Sequence, residues 1–190
     1  DEAAVNHINL IVNGAAQMNS LVEDLLTYSR VNTENHSIET INSEELLNEV
    51  LTGLESYIKE TGAEVIIEDL PEYFGANPTK MKQLFMNLIT NAIKFRRPDV
   101  PPLVEVAMKD YGEYWKVSVK DNGIGIRKEF QKQIFMLFKK LHSSGQHPGT
   151  GLGLAICHKI IEQHEGNIWV ESKEGEGSIF SCTIRKNLKN

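Results

Sequence analysis

Cysteine is scarce in this chain: 190 residues contain two, Cys157 and Cys182. Both sit in apolar-patterned segments with no CxxC and no His/Cys cluster, so they read as reduced core thiols and argue against a thiolate metal site. Basic charge is also short. Twenty Lys+Arg stand against 26 Asp+Glu, a formal charge of -6, which disfavours a nucleic-acid face and an anionic-membrane face and leaves any phosphate-bearing ligand to be held locally. No apolar run approaches the ~20 residues of a bilayer span, and no basic segment precedes an apolar one at the start. The expected compartment is the cytoplasm. Asp1 stands where a start Met would be, so a fragment or a processed product is expected. What is present, 41% apolar and 24% charged residues, suits a globular protein able to bury one full core and carry an appendage.

From Ala3 to Arg30 there is no Pro, and Ile8, Ile11, Ala15, Met18, Val22, Leu25 and Ser29 follow a 3-4-3-4 spacing. That spacing predicts a long helix with a coiled-coil seam; the extra apolar residues Val12, Leu21 and Leu26 fit equally a helix packed on its own domain. The pattern lapses between Asn32 and Asn42, giving a boundary: a helical segment 1–31, a linker 32–41 and a domain 42–187. Asn42 and Glu45 can start a helix carrying Leu46, Leu47, Val50, Leu51, Leu54 and Ile58. Asn77 followed by Pro78 starts a second, running to about Phe95. Strands are expected over 63–68, 103–109, 114–121, 167–172 and 178–184, the later ones joined by glycine turns, with further helices near 128–138 and 152–164. The fold class is α+β, with helices on one face of a mixed, largely antiparallel sheet and one long helix in front.

Three stretches carry chemistry. On the helix after Pro78, Gln83, Asn87 and Asn91 recur every four residues and Lys94 follows, a polar line on an otherwise apolar helix. Buried amides need partners, at ~1–3 kcal/mol for an unsatisfied one, so the line meets either protein groups or a ligand; an Asn carbonyl is also an oxygen ligand suited to magnesium otherwise held by phosphates and water. Along 114–121 the period of two puts Asp121 on the apolar face with Trp115, Val117 and Val119. The Asn122-Gly123-Ile124-Gly125 turn beyond it lets something flat approach the backbone, although an Asp closing its own turn uses the same string. Third, Gly149-Thr150-Gly151-Leu152-Gly153-Leu154 opens an apolar helix, where free amides suit phosphate; flexible loops use such strings too. It is not a Walker A motif, and H-R-D and D-F-G sets are missing, against a P-loop NTPase and a eukaryotic-type protein kinase.

In order, Asn87/Asn91, Asp121-Asn-Gly-Ile-Gly, Phe135-x-x-Phe138 and Gly149-Thr-Gly-Leu-Gly resemble the N, G1, F and G2 boxes of sensor histidine kinases of the GHKL ATPase superfamily. The contexts NAIKFRRPDVPP and KLHSSGQHPGTGLGLAI are similar to bacterial-phytochrome-associated and related soluble kinases. The resemblance implies a two-layer Bergerat sandwich over 42–187 that binds ATP under a lid at about 139–148, preceded by the second helix of a truncated dimerisation and phosphoacceptor hairpin. It implies Asn91 as magnesium ligand, Asn87 as its partner one turn earlier, Lys94 as a phosphate contact and Asp121 as acceptor for the adenine amine. Gly123 and Gly125 would give the base room and Phe135 and Phe138 would seat the lid. Gly149, Thr150, Gly151, Leu152 and Gly153 would form the phosphate loop.

Two departures bear on activity. Lys140 stands where the family often carries an Arg reaching the γ-phosphate, supplying charge without the bidentate fork. No H-[DE]-x-x-x-P motif exists: His7 is followed by Ile8 and Asn9, and His36, His142, His147, His158 and His164 also lack that context. The expected function is ATP γ-phosphoryl transfer to a histidine outside this chain, for relay to a response-regulator receiver domain, with ATP and Mg2+ as cofactors. A homodimer through the hairpin is expected in the intact protein. The rivals are a nucleotide-responsive module without turnover and another GHKL ATPase, the latter disfavoured because those usually carry Glu where Asn87 stands.

Overall fold

The computed structural model describes residues 2–33, 37–139 and 150–187. The Pro-free opening run forms one helix, α1 (Glu2–Thr33). Leu21 and Tyr28 are half-buried against the core, whereas Ile8, Ile11, Met18, Val22 and Leu25 are exposed. One face of α1 therefore packs on its own chain while the 3-4 seam faces outward.

Asn42 caps α2 (Ser43–Gly53), its side-chain oxygen accepting from the Glu45 amide at 3.0 Å, an arrangement that stabilises a helix by about 1 kcal/mol. The expected continuous helix to Ile58 breaks at Leu54, and α3 (Glu55–Thr61) follows, closed by Gly62 in the left-handed conformation. Residues 39–41, expected as linker, belong instead to β1 (Glu39–Asn42), which pairs antiparallel with β3 (Tyr73–Ala76). Ile41 and Phe74 are buried partners in that pair. So short a strand with a single buried apolar residue leaves no alternation to read.

The main sheet runs β2 (Glu64–Glu68), β4 (Leu103–Tyr111), β5 (Tyr114–Asp121), β7 (Gly177–Arg185) and β6 (Ile168–Lys173), in that spatial order. Among the described strands only β2 and β4 are parallel; a parallel pair needs a crossover, and β3 with α4 (Pro78–Lys94) supplies it. The hairpins β4–β5 and β6–β7 and the β5–β7 pair are antiparallel. Helices α2, α4 and α5 (Gly153–Gln163) pack together, with α4 and α5 on one sheet face, a two-layer sandwich as expected.

The helix expected over 128–138 is not formed. A 3-10 turn, Lys128–Phe130, is followed by turns whose amides reach back three residues, such as Gln133 to the Phe130 carbonyl at 2.8 Å. The Gln131 side-chain amide donates to the Ile126 and Ser172 carbonyls at 3.0 and 2.8 Å. These tertiary bonds tie the segment to the β6 edge and override its local helical pattern.

Candidate functional site

Period two on β5 delivers Asp121 to the inner face beside fully buried Val117 and Val119. It is 8% exposed, and its Oδ1 accepts from the Gly123 amide at 2.8 Å and the Ser178 amide at 3.2 Å. Burial pushes its carboxyl up to about 6 while those amides pull the other way. Asp121 thus does close its own turn, but it also spans to β7 and faces a cleft of about 330 Å3, a size suited to a small-molecule site. Apolar walls come from Ile124, Ile126, Ile134, Leu154 and Phe180.

The rest of the lining includes Asn87 and Asn91 of α4, Lys139, and Thr150, Gly151 and Gly153 before and at the start of α5, with Lys94 next to Phe95, whose carbonyl accepts from the turn after Asp121. The amide line is half-buried rather than enclosed, since it occupies the edge of α4 between the core face and the cleft. Gln83, a turn earlier, does not reach the cleft lining. Asn87 Nδ2 donates to the Gly153 carbonyl at 3.3 Å, coupling the two helices. No side chain caps α5, so its first-turn amides point toward the cleft end with the electrostatics that favour an anion. No group of three or more His, Cys, Asp or Glu able to hold a metal occurs among the described residues. A divalent cation beside the neutral Asn91 amide would therefore take most of its ligands from phosphate and water, which is how magnesium is commonly held.

The structure brings Asn87, Asn91, Lys94, Asp121, Gly125, Thr150, Gly151 and Gly153 around one cleft. Four other expected residues do not line it. Gly123 sits behind it: a Cβ there would lie 2.4 Å from the Phe95 carbonyl oxygen, so its small size serves the contact with the end of α4. Phe135 packs edge-on to Phe180 with centroids 6.5 Å apart, one layer behind the wall. Phe138 is 58% exposed and turned outward by a positive φ. Leu152 is fully buried in the core, leaving only its backbone to the loop. Lys140, Gly149 and most of the expected lid lie outside the described residues. Lining residues without a site role in the sequence motifs include Thr90, Phe95, Ser178 and Phe180, and also Ser20 and Asp24 of α1. The strand pattern over 178–184 marks no residue of β7 for a site, and α1 carries no such mark either.

The sequence model of a family described as histidine kinase-, DNA gyrase B- and HSP90-like ATPase matches residues 76–188. Cyanobacterial phytochrome A of Nostoc sp. is 43% identical over 184 residues, covering 97% of this chain and 24% of that protein. The chain thus spans about a quarter of that curated relative's length. The structure of the catalytic domain of histidine kinase ThkA superposes with a TM-score of 0.68 at 33% identity, covering 79% of this chain and 96% of that one. ThkA in complex with the response regulator protein TrrA gives a TM-score of 0.74 at 29% identity, covering 95% of this chain and 51% of that one.

Proposed function

Because the chain belongs to the histidine kinase-, DNA gyrase B- and HSP90-like ATPase family, we propose that it is the ATP-binding catalytic part of a cytoplasmic sensor histidine kinase. It transfers the ATP γ-phosphoryl to a histidine outside these 190 residues, from which an aspartate of a response-regulator receiver domain takes it. The observation that carries this reading is the make-up of the cleft: the buried Asp121 carboxylate, the Asn87 and Asn91 amides, Lys94, Lys139 and an uncapped helix start share one lining with apolar walls. That is the complement of a nucleotide laid lengthwise. Asp121 accepts from the adenine amine, with Gly125 allowing the base to lie against the backbone. Lys94 and Lys139 face the phosphates, and the α5 amides with Gly151 and Gly153 cradle them. Asn91, supported by Asn87, would hold magnesium, which when bound neutralises phosphate charge. The chain's own contribution is positioning, because phosphoryl transfer needs an aligned acceptor and electrostatic support more than covalent help.

No helix among the described residues is long and apolar enough to cross a membrane. The exposed seam of α1, including Ile11, Met18 and Val22, supports a homodimer in the intact protein, and residues 1–31 serve as the second helix of its dimerisation hairpin. The response-regulator partner is supported by the ThkA complex with TrrA. Incubation with γ-labelled ATP and magnesium, with and without a supplied acceptor hairpin, tests the proposal. Acid-labile label is expected on the hairpin's histidine and none on this chain; ATP binding without any transfer would leave a non-catalytic nucleotide module, and label on His7 would overturn the external acceptor.

A further inference from the structure

Ser20, Asp24 and Tyr28 are spaced by four and share one face of α1. Tyr28 and Leu21 pack on the core, while Ser20 and Asp24 line the cleft at its polar end. Asp24 Oδ2 accepts a hydrogen bond from Thr150 Oγ1. The same Thr150 oxygen accepts from the Leu152 amide at 3.3 Å, and Thr150 is buried. A hydroxyl has one hydrogen to donate. Here it is donated to a carboxylate of a helix 126 residues away in sequence, at the cleft end where the nucleotide reading puts phosphate.

We propose that Asp24 is a residue of the nucleotide cleft supplied by α1, and that helix docking and triphosphate binding compete for the Thr150 hydroxyl. The inference rests on the nucleotide reading above. Two anionic acceptors cannot share one hydrogen, and a carboxylate facing the phosphates opposes them electrostatically. Release of Asp24 therefore accompanies phosphate engagement, and by linkage each event weakens the other by the same factor. The longer the phosphate chain, the larger the conflict. ATP, ADP and adenosine should thus feel Asp24 in descending order.

Calorimetric titration of the 190-residue chain with ATP, ADP and adenosine, with and without magnesium, tests this on the parent, Asp24→Asn and Asp24→Ala. Both variants should bind ATP roughly fivefold more tightly, about 1 kcal/mol, ADP by less, and adenosine as the parent does. Hydrogen exchange gives a second readout: ATP should speed exchange over residues 20–28 in the parent, and Asp24→Ala should exchange faster there without ATP. Melting temperatures near the parent's establish that the variants are folded. Unchanged or weaker ATP binding in both overturns the competition, and a loss seen only with magnesium overturns it by making Asp24 a metal ligand. Failure of the parent and both variants to bind ATP or ADP overturns the nucleotide reading itself, and this inference with it.

Discussion

The two ends of the cleft are built differently. At the Asp121 end, backbone and side chains interlock: the Ile124 amide donates to the Phe95 carbonyl at 2.9 Å, and the Gly175 amide to the Ile124 carbonyl at 2.7 Å. Arg97 ties the two loops from outside, donating to the Asn122 carbonyl at 2.9 Å and the Gly175 carbonyl at 3.1 Å. Asn122 anchors the same turn to residues 101 and 103, accepting from the Leu103 amide and donating to the Pro101 carbonyl. At the Thr150 end, half-buried Asn87 of α4, half-buried Asp24 of α1 and the buried Thr150 just before α5 come from separate elements and are joined by single hydrogen bonds, Asn87 to the Gly153 carbonyl and Thr150 to Asp24. The first end is rigid because several bonds, most of them to backbone groups, cross-link the end of α4, the turn after β5 and the β6–β7 turn at once. The second can change partners without unfolding anything. On the proposed reading, base selection is preformed and phosphate handling is adjustable.

The contrast predicts that the same chemical change has unequal consequences at the two ends, and Gly125→Ala should have the largest. Gly125 has φ +69°, and a Cβ there would sit 2.0 Å from the Lys173 carbonyl oxygen. A backbone carbonyl in a paired strand cannot swing aside, so strain and clash together should destabilise on the order of 4 kcal/mol. For a chain of this size that lowers the melting temperature by roughly 10 °C. Gly153→Ala at the other end would place its Cβ 3.5 Å from Asn87 Oδ1, an ordinary contact, so the same methyl should leave the melting temperature within a few degrees. Equal losses at both positions would remove the distinction.

Asp121→Asn comes next and separates stability from recognition. The folded carboxyl titrates near 6 against an ordinary 3.8, so the folded protein holds a proton that the unfolded chain releases between about pH 4 and 6. The stability this proton provides is fully present below about pH 4 and is lost as pH rises through 6. An amide does not titrate there. The Asp121→Asn variant should therefore match the parent near pH 4 and exceed it by roughly 1–3 kcal/mol above pH 6, measured by denaturant unfolding across that range. Nucleotide binding should move oppositely. Above pH 6 the variant should lose ATP affinity by about tenfold, ~1.4 kcal/mol, together with the parent's preference for ATP over GTP, whose carbonyl at the corresponding position repels a carboxylate. A variant that keeps both affinity and preference would reduce Asp121 to the closing of its turn.

Legibility in the sequence followed the range of each signal and not the end of the cleft. Alternation along 114–121 was enough to turn Asp121 inward, and the period of four on α4 aligned Asn87 with Asn91, because both signals are local. Cleft residues that depend on a distant partner had no such mark. Ser178 reaches Asp121 only through the β5–β7 register, and Asp24 meets Thr150 across most of the chain. The parallel β2–β4 pairing is likewise a matter of strand order, which no single segment encodes. Local pattern misled at 128–138, where the Gln131 amide finds two carbonyls outside its own segment and the helix is lost to them.

Lys94→Gln should give the smallest effect and completes the comparison. Lys94 Nζ lies 4.9 Å from the centre of the Phe95 ring, and the side chain is half-buried at the cleft lining. A cation over a ring at a partly solvated site stabilises by about 0.5–1 kcal/mol, so the variant's melting temperature should fall by no more than roughly 4 °C. Its charge faces the polar end of the cleft, where the solvent that softens its contribution to stability also softens its attraction for phosphate. ATP affinity should therefore drop only about threefold, ADP affinity by less, and adenosine binding by nothing measurable, with the ATP loss shrinking as salt is raised from low to physiological ionic strength. Titration of all three ligands at two salt concentrations reads this directly. If adenosine weakened as much as ATP, Lys94 would be acting on the base through Phe95, and the division of the cleft into a fixed end and an adjustable one would fail at the residue lying between them.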